Sequence, residues 1–407
     1  MAVASPEPAP RIPPTVWVLG LVSLSMDVSS EIIHALLPLF MTATLGLSVA
    51  MVGLVDGIAE ATASITKVFS GYLSDRIGRR KPLILIGYGL AALSKPLFPL
   101  AAGAWPVLGA RFADRIGKGI RGAPRDALIA DVTPAQARGR AFGLRQSLDT
   151  AGAFIGPLLA IALMVAFAGD MRRVFWVALI PALAAVALVL LVREPAPAAG
   201  DARAPIRLAE LARLGRPFWA VAMVGTCFSL ARISEAFLIL KANAAGLPVT
   251  LAPLVLVVMN LVYSAGAYPA GVLSDRHPPR RLLLWGIAAL IAADLLLAFA
   301  GGLASVWAGI ALWGAHLALT QGVLSRMVAD AAEPRLRASA FGVFSLATGL
   351  ALLAASVAAG LLWVWAGPRY TFAVAAALAA LSALLLVALR CGAPAPSVDP
   401  APPPPRT

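Results

Sequence analysis

Twelve apolar stretches, most of them about twenty residues long, decide what this chain can fold into, because that length spans a bilayer core as a helix. They run at 15–43, 48–73, 82–102, 104–130, 138–167, 172–193, 217–242, 249–274, 281–301, 304–330, 337–366 and 368–391. Hydrophobic residues make up 60% of the 407 positions and charged residues 13%, with a mean hydropathy of +0.85. No water-soluble fold hides that much apolar surface. The expectation is an all-α, multi-pass membrane protein with twelve transmembrane helices, its partner the lipid bilayer.

The net charge of +13 does not mark a nucleic-acid binder, since the basic residues sit in loops between apolar stretches and form no basic domain. They set orientation instead. Arg76, Arg79, Arg80 and Lys81 lie between spans 2 and 3, and Arg125, Arg138 and Arg140 are assigned to the 4–5 connection. Arg203, Arg207, Arg213 and Arg216 lie in the 6–7 connection, and Arg276, Arg280, Arg281, Arg335 and Arg337 in the 8–9 and 10–11 connections. The opposite loops are nearly bare, with Arg172, Arg173 and Arg369 as exceptions. The basic side is expected to be cytoplasmic, with both termini there. Only five of the 33 basic residues are Lys, which fits a GC-rich bacterial genome and hence a bacterial plasma (inner) membrane.

The expected divisions are a cytoplasmic N-terminal segment (1–14), a six-helix bundle (15–193), a polar linker (194–216) with a short amphipathic helix at IRLAELARL, a second bundle (217–391) and a Pro-rich disordered tail (392–407). The first segment lacks the signature of a cleaved signal peptide, so the first span is expected to serve as the insertion signal. Cys227 and Cys391 make no disulfide framework.

The chain repeats itself. GYLSDRIGRRK at 71–81 returns as GVLSDRHPPRR at 271–281, ADVTPAQARGRAFG at 130–143 as ADAAEPRLRASAFG at 329–342, and SSE at 29–31 as ISE at 233–235. Matches at a spacing near 200 residues predict two pseudo-symmetric six-helix halves. Transporters built from such repeats place their site at the midplane between them.

Gly71-x-Leu73-x-Asp75-Arg76-x-Gly78-Arg79-Arg80-Lys81 resembles the loop 2–3 signature of the major facilitator superfamily, and Asp275-Arg276 carries its echo, with Pro278 and Pro279 near the place of the central Gly. The resemblance covers about 15–391. Gly143, Gly152 and Gly156-Pro157 are similar to the helix 5 motif of the proton-coupled, drug:proton antiporter-like twelve-helix branch, except that Ala160 and Ile161 replace its closing Gly pair. Small residues there allow close helix approach and Pro a kink, so plain packing is the alternative. Arg115-x-x-Lys118-Gly119 is similar to the family's helix 4 motif, with Lys for Gln and Arg121 where a small residue is usual. The resemblance implies the major facilitator fold, the family's usual monomeric state, and a buried Arg115 tied to proton movement.

Ionisable residues inside spans are costly and must face a cavity or one another. Asp27, Glu31 and His34 fall on one face of span 1, and Asp56 and Glu60 on one face of span 2 with Lys67 beyond. Arg111, Arg115 and Lys118 share a face of span 4 with Asp114 beside them, and span 5 adds Arg145 and Asp149. At about 1.5 Å per residue, Glu31, Glu60 and Arg115 sit at similar depth and can meet near the midplane. Counting Lys67 and Lys95, six acids face six bases in this half, which predicts mutual pairing. The structural alternative is an ion-pair network that pins the bundle. The functional one is that an acid loads and releases a proton, with Asp27 and Glu31 first in line because two carboxylates one turn apart resist ionising together. In the second half Arg232 and Glu235 are spaced to pair along a helix, and Asn260, Tyr263, His316 and Gln321 are candidate hydrogen-bonding groups for a substrate. A lone His is equally a helix–helix contact. Trp313 reads as cavity wall or lipid-facing, and Asp294 has no evident partner.

The duplicated charged phrase suits a cytoplasmic gate of Gly71, Asp75, Arg76, Gly78, Arg79, Arg80, Asp275 and Arg276. Helix N-termini attract anions, so Asp75 is expected against span 11 near Arg337 and Asp275 against span 5 near Arg138. The sum is a secondary active transporter of a small-molecule substrate, working by alternating access with protons as coupling ion and no cofactor, most simply an exporter of small organic compounds. A symporter or exchanger of an organic anion, metabolite or metal ion is the alternative, and a non-transporting sensor a third class. No Gly-x-x-x-x-Gly-Lys-Ser/Thr loop, paired-His metal spacing or Gly-x-Ser-x-Gly turn points to an ATP-driven pump or an enzyme.

Overall fold

The computed structural model describes residues 12–134, 137–194, 214–299, 301–320, 323–332 and 337–389. The expected linker helix, the tail, Cys391 and Gln321 lie outside these residues, as do the side chains of Asp75, Arg138, Asp275, Arg276 and Arg337.

Among the described residues twelve long helical segments follow one another. They are α1 (Pro14–Thr44), α2 (Val49–Ile77), α3 (Lys81–Leu100), α4 (Ala104–Val132), α5 (Arg138–Ala166), α6 (Met171–Leu191), α7 (Arg216–Ala244), α8 (Leu254–Arg276), α9 (Pro279–Phe299), α10 (Leu303–Thr320), α11 (Arg337–Ala366) and α12 (Pro368–Ala388). Eleven have the length and apolarity to cross a membrane. The twelfth, α4, is 29 residues long and carries its charges from Arg111 to Asp131. Arg125, assigned to the 4–5 connection although span 4 runs to 130, is helical rather than a loop residue.

Local chemistry fixes the ends. The Ser48 Oγ accepts from Met51 N–H at the start of α2. Gly78, the central Gly of the first signature, stops α2 in the left-handed conformation, φ 68°. The second copy lacks that Gly and ends α8 differently: His277 is extended and Pro278 follows. Asp170 caps α6 by accepting from the N–H groups of Arg172 and Arg173. The first helix of each half is interrupted in mid-span. α1 loosens around Ala35–Leu36 and closes with a π-turn at Phe40–Thr44. α7 is two pieces, Arg216–Ala231 and Ala236–Ala244.

In the first half α1 packs on α5 and α6, α2 on α4, and α3 on α4 and α6. Shifting every number by six gives the second half's contacts: α7 on α11 and α12, α8 on α10, and α9 on α10 and α12. The halves meet through α2 with α11 and α5 with α8, a pair that also obeys the shift. The α2–α11 seam needs glycine. A methyl at Gly360 would sit 2.9 Å from Ala50 Cα, and one at Gly53 would collide with the Ser356 carbonyl. These contacts lie at the end away from the basic loops. There Ile32, Leu36, Phe40, Val52 and Val55 join Phe237, Leu238 and Val255 in one apolar core. Toward the basic loops the first half keeps a separate core of Leu19, Met26, Ile84, Tyr88 and Ile129, and Phe69, Leu73 and Ile77 of α2 are exposed. Among the described residues the halves therefore share an apolar core at the bare end, while toward the basic end the first half keeps a core of its own.

Candidate functional site

The α5 glycines place α5 directly on the acidic face of α1. A methyl at Gly152 would lie 2.9 Å from Asp27 Cβ, and one at Gly156 would lie 3.0 Å from the Val28 carbonyl oxygen. Gly143 meets nothing within 4 Å, so only two of the three motif glycines serve close approach. Pro157 lies inside α5. Asp27 thereby faces Asp149 on α5 and Lys118, Arg121 and Arg125 on α4. Glu31 lies 3.5 Å from His34 on its own helix and faces Lys118 and Arg115.

The ion pairs of this half fall into two kinds. Lys95 Nζ is 2.8 Å from Asp114 Oδ1, with side chains 1% and 3% exposed, and it also donates to Ser30 Oγ at 3.0 Å. That is a tight, dry structural pair. Arg111 reaches Asp56 at 3.5 Å, and Ser234 Oγ of α7 donates to the other Asp56 oxygen at 2.7 Å. Asp56 is thus held from both halves at the bare end. Arg145 bridges Asp126 and Asp149, each at 3.2 Å. Arg115 Nη1 lies 3.5 Å from Glu60 Oε1, and there the carboxylate side chain is 46% exposed. Glu60 opens into the gap between the halves at mid-span, and Lys118, also exposed, faces it.

Pairing is thus incomplete. Among the described residues Asp27, Lys67 and Lys118 make no ion pair within 4 Å, and Glu31 has only His34. Arg232 and Glu235 do not pair along a helix, because α7 is broken between Ala231 and Ala236. They line the break; Glu235 faces His34, Glu31 and Glu60 across the halves. His316 and Trp313 are not cavity groups. Both are buried, with ring centroids 5.5 Å apart, and His316 also meets Phe228 edge-on. Asp294 is buried facing Trp313, without a hydrogen bond of good geometry to either carboxylate oxygen. Asn260 and Tyr263 of α8 are half-buried.

At the basic end Arg76 and Arg79 are exposed, and a methyl at Gly71 would rest 3.3 Å from Ala123 of the same half. Arg80 Nη1 donates to Ser74 Oγ at 2.6 Å and its Nε lies 3.5 Å from Asp131. The backbone N–H groups of Arg80 and Lys81 donate to the Glu194 carboxylate, and Lys81 Nζ caps the last carbonyls of α6 at Leu190 and Val192. The described part of the signature is therefore tied into its own half. Residues missed from sequence are Ser234, Ser23 and Tyr88. Arg125 donates to Ser23 Oγ at 2.7 Å, Ser23 is 3.2 Å from the Tyr88 hydroxyl, and Arg121 lies over the Tyr88 ring. Extending the span 4 spacing from Lys118 to Arg121 and Arg125 is the signal that finds this cluster. Among the described residues no group of three His, Cys, Asp or Glu is set to hold a metal.

The profile described as Major Facilitator Superfamily matches residues 19–242 and again 234–407. An "Uncharacterized MFS-type transporter" of Methanocaldococcus jannaschii is 31% identical over 382 residues, covering 91% of this chain and 94% of the relative. The "Multidrug resistance protein MdtH" of Photorhabdus laumondii is 31% identical over 128 residues, 31% of this chain and 32% of the relative. Among solved structures, a point mutant of the nucleoside transporter NupG superposes with a TM-score of 0.79 at 14% identity, over 92% of this chain and 99% of that one. This last likeness is one of fold.

Proposed function

Since this chain belongs to the Major Facilitator Superfamily and is a multi-pass membrane transporter rather than an enzyme, we propose that it exports small organic compounds in exchange for protons by alternating access. One observation carries the coupling: Asp27 and Glu31 project at mid-span where the α5 glycines press on α1, and Asp27 has no ion-pair partner among the described residues. An acid held without a fixed counter-ion beside a cavity is the group whose charge a proton or a substrate can alter as access alternates. The export direction is supported by the helix 5 motif and by the local similarity to MdtH. The contact pattern repeated across the halves, with a shared apolar core at the bare end, suits a rocking exchange between two openings. The basic end is read as cytoplasmic, which makes this the inward-open form, in a bacterial plasma membrane with both termini inside. The reading takes a monomer driven by the proton gradient, without a cofactor.

Proton flux in inside-out vesicles with a respiration-driven acidic lumen tests the reading. Lipophilic cations, organic anions and divalent metals are added to wild type, Asp27→Asn and Glu31→Gln. Release of lumenal protons by one class in wild type alone supports coupled export. No release by any class, with the protein inserted and folded, overturns it.

A further inference from the structure

Glu60 stands apart from the other carboxylates of the first half. Asp114 is locked at 2.8 Å on Lys95 in a dry setting, and Asp56 is gripped by Arg111 and Ser234. Glu60 touches one base only, at 3.5 Å, through one oxygen, with nearly half its side chain exposed. A strong charge-assisted hydrogen bond runs at about 2.7–2.9 Å, so this carboxylate is loosely held. Yet the bases around it are many: Arg115, Lys118, Arg111 and His34 face it from α4 and α1, and Arg232 faces it from the break in α7.

Two of those bases lack an ion pair of their own. Lys118 has none within 4 Å among the described residues. Arg232 has none either, and its buried Nε finds no hydrogen-bond acceptor. Other acids face the same bases without an ion pair to Lys118 or Arg232 within 4 Å among the described residues: Asp27 and Glu31 face Lys118, and Glu235 faces Arg232 as well as His34 and Glu31.

We propose that Arg115, Lys118 and Arg232 form a binding site for an anionic group of the substrate, a carboxylate or its equivalent, and that Glu60 fills this site in the substrate-free protein. The site spans both halves: Arg115 and Lys118 come from α4 and Arg232 from α7. An arriving carboxylate takes the place of Glu60, whose side chain already reaches the gap and swings into water. The bases exchange one carboxylate for another, so the desolvation cost of three cations is met in both states. Substrate binding then draws an α7 cation onto α4 groups, a link between the halves that Glu60, paired with Arg115 alone, does not make. This names the substrate class of the transport site and rests on the transport reading above.

The test measures binding rather than flux, so that its failure is separable from failure of proton coupling. Purified full-length protein in detergent is titrated with aliphatic, aromatic and amino-acid carboxylates and with tetraphenylphosphonium, reading the thermal unfolding midpoint. At least one carboxylate is expected to raise the midpoint in wild type. Glu60→Gln is expected to tighten its apparent affinity about tenfold, as when a competitor filling the site about nine-tenths of the time is removed. Lys118→Gln and Arg232→Gln are each expected to weaken binding without lowering the ligand-free midpoint, since neither breaks an ion pair. The proposal is overturned if no carboxylate binds either wild type or Glu60→Gln, or if Glu60→Gln leaves carboxylate affinity unchanged. Tetraphenylphosphonium binding that Glu60→Gln abolishes also overturns it, making Glu60 a cation ligand. Carboxylate binding without proton release in the vesicle assay keeps the site and removes the coupling.

Discussion

Ser234→Ala removes one hydroxyl and, with it, a hydrogen bond that joins the two halves. Ser234 Oγ donates to Asp56 Oδ2 at 2.7 Å, and a bond of that kind to a charged group contributes roughly 1.5–3 kcal/mol. Asp56 keeps Arg111 at 3.5 Å in the variant, so the first half retains its own ion pair. The hydrogen bond exists only while the bare end is closed. Its loss therefore acts on the closing equilibrium, favouring the open form by about 10- to 150-fold at ~1.4 kcal/mol per decade. The reporter is a cysteine at Val52, 1% exposed in the shared core of the bare end, in a background with Cys227 and Cys391 changed to Ser. Its reaction with a membrane-impermeant maleimide added on the bare side tracks transient opening. The labelling rate is expected to rise by at least about tenfold in Ser234→Ala. A rate within twofold of the parent would refute the assignment of this contact to closure.

The Lys95–Asp114 pair invites a double-mutant cycle. Lys95→Met and Asp114→Asn alone should each cost about 3–5 kcal/mol, and the pair together much less than their sum, measured by unfolding in mixed micelles. Gly156→Leu should lower the unfolding midpoint, with a penalty of about 1–3 kcal/mol or more, because its side chain enters the space of Glu31 on α1. Gly143→Leu, facing open space, should leave the midpoint unchanged. Gly78→Ala should cost about 1–2 kcal/mol through its left-handed φ of 68°, seen as a lower midpoint with unchanged maleimide labelling at Val52→Cys.

The helices were legible because apolar runs of bilayer length leave few other solutions, and even the charged α4 was found between two such runs. The repeat at 71 and 271 foretold the two halves. The break in α7 was hard to read: Arg232-Ile233-Ser234-Glu235 holds neither Pro nor Gly, and its one local signal is Ser234, whose Oγ accepts from Ala236 N–H where the second piece begins. The same break cancels the spacing argument that paired Arg232 with Glu235. Which acid meets which base was also hidden, since Lys95 with Asp114 and Arg111 with Asp56 join different helices. His316 was offered to a substrate on residue type alone, whereas Phe228 and Trp313 enclose it. The latch expected of Asp75 and Asp275 falls on side chains outside the described residues, while neighbouring Arg80 and Lys81 hold to their own half.

The apolar core shared at the bare end has a further consequence. Val52, Val55, Phe237 and Leu238 are dry only while the halves touch there, and each such side chain costs about 1.5–3 kcal/mol to wet. In the alternating access proposed above, opening the bare end wets these side chains, so contacts made by substrate or by closure of the basic end must offset that cost.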